Sequence, residues 1–343
     1  MMKLTLDEIA KRAGVSRTTA SRVMNNRPHV RPELRERVLR VIEETGFEPN
    51  PVARSLAFQR SKVIGLVLPR STHTLFTDPY FPRLTLGIAQ ACNQYDYTLS
   101  LFLFETEADE ERVIPRISRT GLLDGVIIQV GRIGERLIAN MLGGNTPVIV
   151  AGRPSDLPEA SFVDVDNVAG ADKAVTHLIR LGRRRIGTIT GALNTTAGLD
   201  RREGYRKALE ENGIPVNQSL IVEGDFTEIG AFDAMQRLLT RRPDAVFVAS
   251  DLMAVGALNA IQQAGLSVPD DIAVVGYDDL PPATTARPPL TTIHQPVLRF
   301  GAKAVEMLID IIENGLYPPR QVILDTELVV RESCGAAVGI ARN

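Results

Sequence analysis

Seven apolar runs recur between Lys62 and Asp278, and they leave few folds open to this chain. They read VIGLVLP (63–69), YTLSLFLF (97–104), GVIIQV (125–130), PVIVAG (147–152), RIGTITG (185–191), AVFVAS (245–250) and IAVVGYD (272–278). Such continuous runs fit parallel strands buried on both faces. Helical patterns fill the gaps: Leu84–Tyr95, Glu107–Thr120, Gly134–Leu142, Ala169–Leu181, Arg202–Asn212, Gly230–Leu239 and Leu252–Ala264. Strand and helix in alternation predict a doubly wound α/β arrangement. Seven strands are too many for one small sheet, so two similar lobes are expected, roughly 62–161 and 162–290. No short fixed period repeats, which excludes a solenoid.

The first 50 residues follow a different rule. Thr5 and Glu8 form a T-x-x-E capping box that opens a helix. Leu6, Ile9, Ala10 and Ala13 share one face of it. Gly14 permits a tight turn, Val15 plugs the angle, and Ser16 caps a second helix, Arg17–Met24, whose Ala20, Val23 and Met24 pack inward. This is a helix-turn-helix. Its second helix presents Arg17, Thr18, Ser21 and Arg22 outward near the N-terminal end, where such a helix meets base edges. Pro32 opens a third helix through Glu44, with Leu34, Val38, Val41 and Ile42 inward and Gly46 as its stop. Asn50-Pro51 then starts PVARSLAF, either a plain linker or a segment that orders only with a partner or DNA.

Charge divides along the same line. Residues 1–31 carry seven Lys/Arg against Asp7 and Glu8, a net of +5, so the other 312 residues sum to −7. A basic head on an acidic body suits a small nucleic-acid contact surface. Hydrophobic residues make up 44% of the chain, yet no run approaches the roughly 20 residues of a membrane span. MMKLTLDEIAKRAG lacks the apolar core of a signal peptide, so a cytoplasmic protein is expected. Cys92 and Cys334 stand alone, which excludes a disulfide framework and a common zinc motif.

Catalytic signatures are missing from the sequence. There is no phosphate loop, no G-x-G-x-x-G after the first strand, no nucleophile elbow and no H-E-x-x-H. His29, His73, His177 and His294 are scattered without metal-ligand spacing. No enzyme activity, cofactor or metal is expected. Polar residues instead collect at the C-terminal ends of strands, where open α/β sheets bind ligands. Arg153 follows PVIVAG, Ser250-Asp251 follows AVFVA, and Asp278-Asp279 follows AVVGY. Arg201 stands at the head of a helix after the 185–191 strand, and Asp78-Pro79-Tyr80-Phe81 ends the long first loop. Asp164/Asp166 and Asp278/Asp279 are paired carboxylates of the kind that cap loops or bind ligand hydroxyls. Carboxylates, a guanidinium and aromatic rings around one cleft suit a small polyhydroxylated ligand.

The segments TLDEIAKRAGVSRTTASRVMN, HVRPELRERVLRVIEETGFEPNPVARSLA, VDVDNVAGADKAVTHLIRLGRRRIG, RREGY, ASDLMAVGAL, VVGYDDL and PPLTTIHQP resemble a lactose-repressor/galactose-repressor family transcriptional regulator over essentially the whole chain. The resemblance implies a small all-α helix-turn-helix DNA-binding domain plus an α/β periplasmic-binding-protein-like core of two doubly wound lobes. It implies a homodimer on a pseudo-palindromic operator, controlled by a small effector, most simply a sugar, between the lobes. Arg17, Thr18 and Arg22 would read bases; Ser16, Ser21, Asn25 and His29 would hold phosphates or register, with Thr5 and Leu6 also on the DNA side. Asn50 to Phe58 resembles the family's hinge helix, with Leu56 as minor-groove wedge, Ala53 one turn earlier and Arg54 on phosphate. The effector set implied is Tyr80, Phe81, Arg153, Arg201, Ser250, Asp251, Asp278 and Gln295. The domains implied are 1–49 for the head, 50–61 for the hinge, 62–161 with 291–323 for one lobe, 162–290 with 324–334 for the other, and 335–343 as a tail.

Three positions depart from the family pattern. Arg31 replaces the Ser or Thr cap before the third helix, and Ser250 replaces a common Asn. The end, GAAVGIARN, has no leucine heptads, so a dimer is expected rather than a tetramer. Two rival classes remain for comparison. An exported solute receptor is opposed by the basic head, and a sugar-acting enzyme with a DNA-binding appendage by the absent nucleophile and phosphate loop.

Overall fold

The computed structural model describes residues 4–24, 28–47, 60–68, 72–104, 106–119, 122–134, 136–315 and 318–336. The chain divides into two compact units, 1–61 and 62–343.

The first unit holds α1 (Leu6–Ala13), α2 (Arg17–Met24) and α3 (Pro32–Thr45). Both halves of the Thr5/Glu8 capping box form, and Gly14 ends α1 in the left-handed region at φ 61°. Ser16 Oγ accepts the Thr19 N–H at 3.1 Å, capping α2. At α3 Arg31 supplies no side-chain cap, and Pro32 at the first position stands in for it. Ile9, Ala10, Ala13, Ala20, Val23 and Val38 are buried together, with Val15, Val41 and Ile42 packed around them. Arg37 adds what local pattern could not show. Its guanidinium crosses from α3 to the end of α1 and donates to the Ala13 and Gly14 carbonyls at 2.6 Å. A cation there satisfies orphan carbonyls and meets the negative end of the helix dipole.

The second unit contains two six-stranded sheets. β1 (Val63–Leu68), β2 (Thr98–Leu103), β3 (Gly125–Gln129), β4 (Val148–Ala151) and β5 (Phe162–Val165) belong to the first. β6 (Ile186–Thr190), β7 (Ile221–Glu223), β8 (Ala245–Val248), β9 (Ala273–Asp278) and β10 (Thr291–His294) belong to the second. β11 (Gln321–Leu324) then returns to the first and β12 (Glu327–Val329) to the second, giving orders β11-β5-β4-β3-β1-β2 and β12-β10-β9-β8-β6-β7. Every described pairing is parallel except β10 with β12. The helices are α4 (Thr72–Thr77), α5 (Tyr80–Gln94), α6 (Glu107–Arg119), α7 (Arg136–Leu142), α8 (Asn167–Arg180), α9 (Thr196–Glu211), α10 (Glu228–Leu239), α11 (Asp251–Gln263), α12 (Pro281–Thr285) and α13 (Val297–Asn314).

Strand alternation explains why each sheet is covered twice. Ile64, Leu66, Leu68 and Ile127 face α5 and α13, while Val67, Val126 and Ile128 face α6 and α7. In the second sheet Val246, Val248 and Val274 pack on α10 and α11, and Ala245, Phe247 and Val275 on α8 and α9. This two-sided burial is what the continuous apolar runs predicted.

The lobe boundaries fall differently from the expected 162, 290 and 323. β5 pairs with β4 and β11, so residues 162–165 belong to the first lobe. β10 pairs with β9, so residues 291–294 belong to the second. The chain changes sheet near 166, 295 and 325, because a strand completes its ladder before it leaves.

Candidate functional site

The C-terminal ends of both sheets face one another across a cavity of about 220 Å³. Seven of the eight expected effector residues line it: Tyr80, Phe81, Arg153, Arg201, Ser250, Asp278 and Gln295. Asp251 does not. It is fully buried at the start of α11, where it accepts the Leu280 N–H at 2.9 Å and the Thr292 hydroxyl at 2.6 Å. Its carboxylate joins α11 to β10 instead of meeting a ligand.

Arg201 lies at the centre. α9 begins at Thr196, six residues earlier than expected, so Arg201 sits in its second turn rather than at its head. Its Nε donates to Asn167 Oδ1 at 2.9 Å and its Nη1 to the Ala249 carbonyl at 2.6 Å. Nη1 also reaches Asp278 Oδ1 at 3.4 Å, and the guanidinium stacks 3.7 Å from the Tyr277 ring centroid. Gln295 Nε2 donates to the same Asp278 oxygen at 2.5 Å. On the far side Asn167 Nδ2 reaches Asp164 Oδ1 at 3.4 Å. A chain of hydrogen bonds thus runs Asp164–Asn167–Arg201–Asp278–Gln295 and links the two lobes at the first and second crossovers.

Backbone strain holds the acidic end in place. Asp278 and Asp279 both have positive φ, at 117° and 56°, and two non-glycine residues in this region together are costly. Asp279 turns away from the cavity and is held by Arg331 at 2.6 Å and His294 at 3.0 Å. Each paired carboxylate divides in the same way: Asp278 and Asp164 line the cavity, while Asp279 is ion-paired and Asp166 caps α8. Burial raises the carboxyl pKa values of Asp278 and Asp164, the latter to about 6.

Several lining residues lie outside the expected effector set, although Asp164 is singled out in the sequence as one of a carboxylate pair. Gln129 ends β3, and Asp164 lies in a strand that had been assigned to the other lobe. Phe226 projects from a backbone at φ 64°, and a Cβ on Gly191 would come within 2.0 Å of its ring, so that position has room only for glycine. Asp200 takes Arg153 across the cleft at 2.5 Å, and the Ile133 N–H donates to Asn194 O at 2.8 Å, a second tie between the lobes.

In the head, Arg17, Thr18 and Arg22 are exposed on α2, and Ser21 is half-buried. Arg17 Nε lies 3.5 Å from Asp7, a surface pair worth little by itself. Thr5 and Ser16 spend their side chains on caps, Leu6 packs on the core, and His29 is exposed at φ 68°. Asn25, Asn50, Ala53, Arg54 and Leu56 lie outside the described residues. No cluster that could hold a metal occurs among the described residues.

Two families match. The one described as bacterial regulatory proteins, lacI family, covers residues 5–50, and a periplasmic binding protein-like domain covers 175–334. The HTH-type transcriptional regulator CelR of Thermobifida fusca is 38% identical over 333 residues, 96% of this chain and 98% of that protein. The HTH-type transcriptional repressor PurR of Haemophilus influenzae is 34% identical over 96% of this chain and 98% of its own length. Among solved structures, the CelR–cellobiose complex aligns with TM-score 0.77 at 36% identity, covering 96% of this chain and 99% of that one. The lac repressor dimer bound to operator and the anti-inducer ONPF aligns with TM-score 0.83 at 29% identity, with the same coverage. Full-length similarity, a helix-turn-helix head and a two-lobed core agree, and this chain belongs to the lacI family of bacterial regulatory proteins.

Proposed function

We propose that this protein is a sequence-specific transcription regulator, acting as a repressor, whose operator affinity is set by a sugar bound between its lobes. The observation that carries the reading is one chain holding both an exposed Arg17/Thr18/Arg22 face and a cavity that converges Arg201, Asp278 and Gln295. A guanidinium, carboxylates and aromatic rings recognise hydroxyls and the faces of a sugar ring. The cellobiose bound to CelR supports a sugar over a purine.

The protein works as a cytoplasmic homodimer on a pseudo-palindromic site, and it performs no catalysis. The 1–49 head reads bases, and the 50–61 connector sets the spacing of two heads, with Leu56 as the minor-groove wedge. Effector binding favours one arrangement of the lobes, and the differential affinity of that arrangement for operator is the regulatory signal. No helix among the described residues is long and apolar enough to cross a membrane.

Selection of bound DNA from a random pool tests the first half of this reading. A pseudo-palindrome is expected, and Arg22→Ala should lose about 1–3 kcal/mol of discrimination at one position of each half-site. Recovery of no consensus, or an unchanged Arg22→Ala profile, refutes the recognition assignment.

A further inference from the structure

The first-lobe wall of the cavity holds polar groups that the protein leaves unanswered. Asp164 is 6% exposed, and its Oδ1 accepts the Val165 N–H at 2.8 Å. No donor among the described residues bonds its Oδ2. Among the described residues no cation comes within ion-pair distance of it: Arg153 is held by Asp200 and Arg201 by Asp278. Gln129, 8% exposed, has a buried Oε1 without a hydrogen-bond partner among the described residues. Its Nε2 lies 3.5 Å from the Val130 carbonyl, an orientation that leaves Oε1 as the unused acceptor. Both residues line the cavity from the first lobe, Gln129 at the end of β3 and Asp164 in β5, the strands on either side of β4.

A buried carboxylate without a charged partner is costly, and buried acceptors nearly always find donors. Here the missing donor has to come from what fills the cavity. A hydroxyl or an ammonium supplies it. A phosphate or carboxylate brings only acceptors and like charge, with Asp78 and Asp278 also lining the same space.

We propose that Asp164 and Gln129 form a donor-seeking subsite on the first-lobe wall that admits effectors presenting a hydroxyl or ammonium there and rejects those presenting a phosphate or carboxylate. The proposal rests on the reading above that the cavity is the effector site. It goes beyond that reading in naming the charge class admitted and the wall that decides it.

The test uses the full-length protein and calorimetric titration with matched probes: glucose, glucosamine and glucose 6-phosphate, then cellobiose and cellobionate, with hypoxanthine outside the sugar class. The neutral or amino member of a set should bind about 100-fold tighter than its anionic counterpart. Asp164→Asn keeps the shape and removes the charge, and should shrink that preference to about tenfold or less. Gln129→Leu should weaken binding of the neutral probe. Equal binding of the anionic member, an unchanged preference in Asp164→Asn, or no binding of any probe overturns the proposal. If only hypoxanthine binds, the sugar reading fails separately, and the subsite stands or falls on whether Asp164→Asn weakens hypoxanthine about tenfold. If Arg201→Ala binds the sugar as tightly as wild type, the ligand lies elsewhere and the cavity reading fails first.

Discussion

Asp164 shows what a binding site costs the protein that carries it. Burial raises its carboxyl pKa from 3.8 to about 6, with the Asp200 charge adding to the effect and Arg153 and Arg201 opposing it. A carboxylate with a raised folded-state pKa holds its proton longer in the native state than in the unfolded one. Stability therefore falls as pH rises from about 4 to about 6, and the penalty is fully present above that. Roughly two pKa units correspond to about 3 kcal/mol. Asp164→Asn should melt higher than wild type at pH 8 without ligand, and the advantage should vanish at pH 4. Scanning calorimetry across that range checks it; a variant that is less stable at pH 8 would show that the carboxylate is satisfied internally. Asp278 is raised as well, but it is present in both proteins and cancels from the comparison.

At the scale of elements, local signals were read well and long-range ones were not. α1 and α2 match the sequence reading to the residue, because capping boxes and glycine stops act within one turn. The five strands β5, β7, β10, β11 and β12 were missed. They are three or four residues long, and several carry polar side chains at the sheet edge, so hydrophobic runs do not reveal them. That failure carried into the site. With residues 162–165 assigned to the wrong lobe, Asp164 could not be placed on the first-lobe wall that also holds Gln129. Arg201, Asp278 and Gln295 were legible because they end strong strands or match the family pattern. Of the expected Ser250–Asp251 pair only Ser250 lines the cavity: it caps α11 there, and the next side chain points into the fold. Arg37 was invisible because its partners lie 24 and 23 residues away. Removing it leaves two carbonyls at the α1–α2 turn without their cation. Arg37→Ala should therefore destabilise the head by about 1.5–3 kcal/mol. Limited proteolysis of the intact chain should then cut within residues 4–47 first, while the core stays resistant; unchanged cleavage would mean the bonds add nothing.

Across the whole molecule, the hydrogen-bonded chain around Arg201, the Arg153–Asp200 pair and the Ile133–Asn194 bond tie the two lobes together. A ligand inserted among these groups must change their pairing, which gives it different affinities for different lobe arrangements. That difference is the only source of control a ligand can supply. Coupling of this kind amounts to about 1–3 kcal/mol, or roughly 5–150-fold in affinity. Neither unit is sufficient alone. A single helix-turn-helix module buries about 600–1,000 Å², too little for strong specificity without a second copy, and the cavity has no output without the head.

The central claim is that the cavity around Arg201 governs the head, and operator affinity measured with and without effector tests it most directly. Fluorescence anisotropy on the selected operator should show at least about a fivefold change on adding effector to wild type. Arg201→Ala should show no change in operator affinity when effector is added. A variant that still responds like wild type would contradict the account.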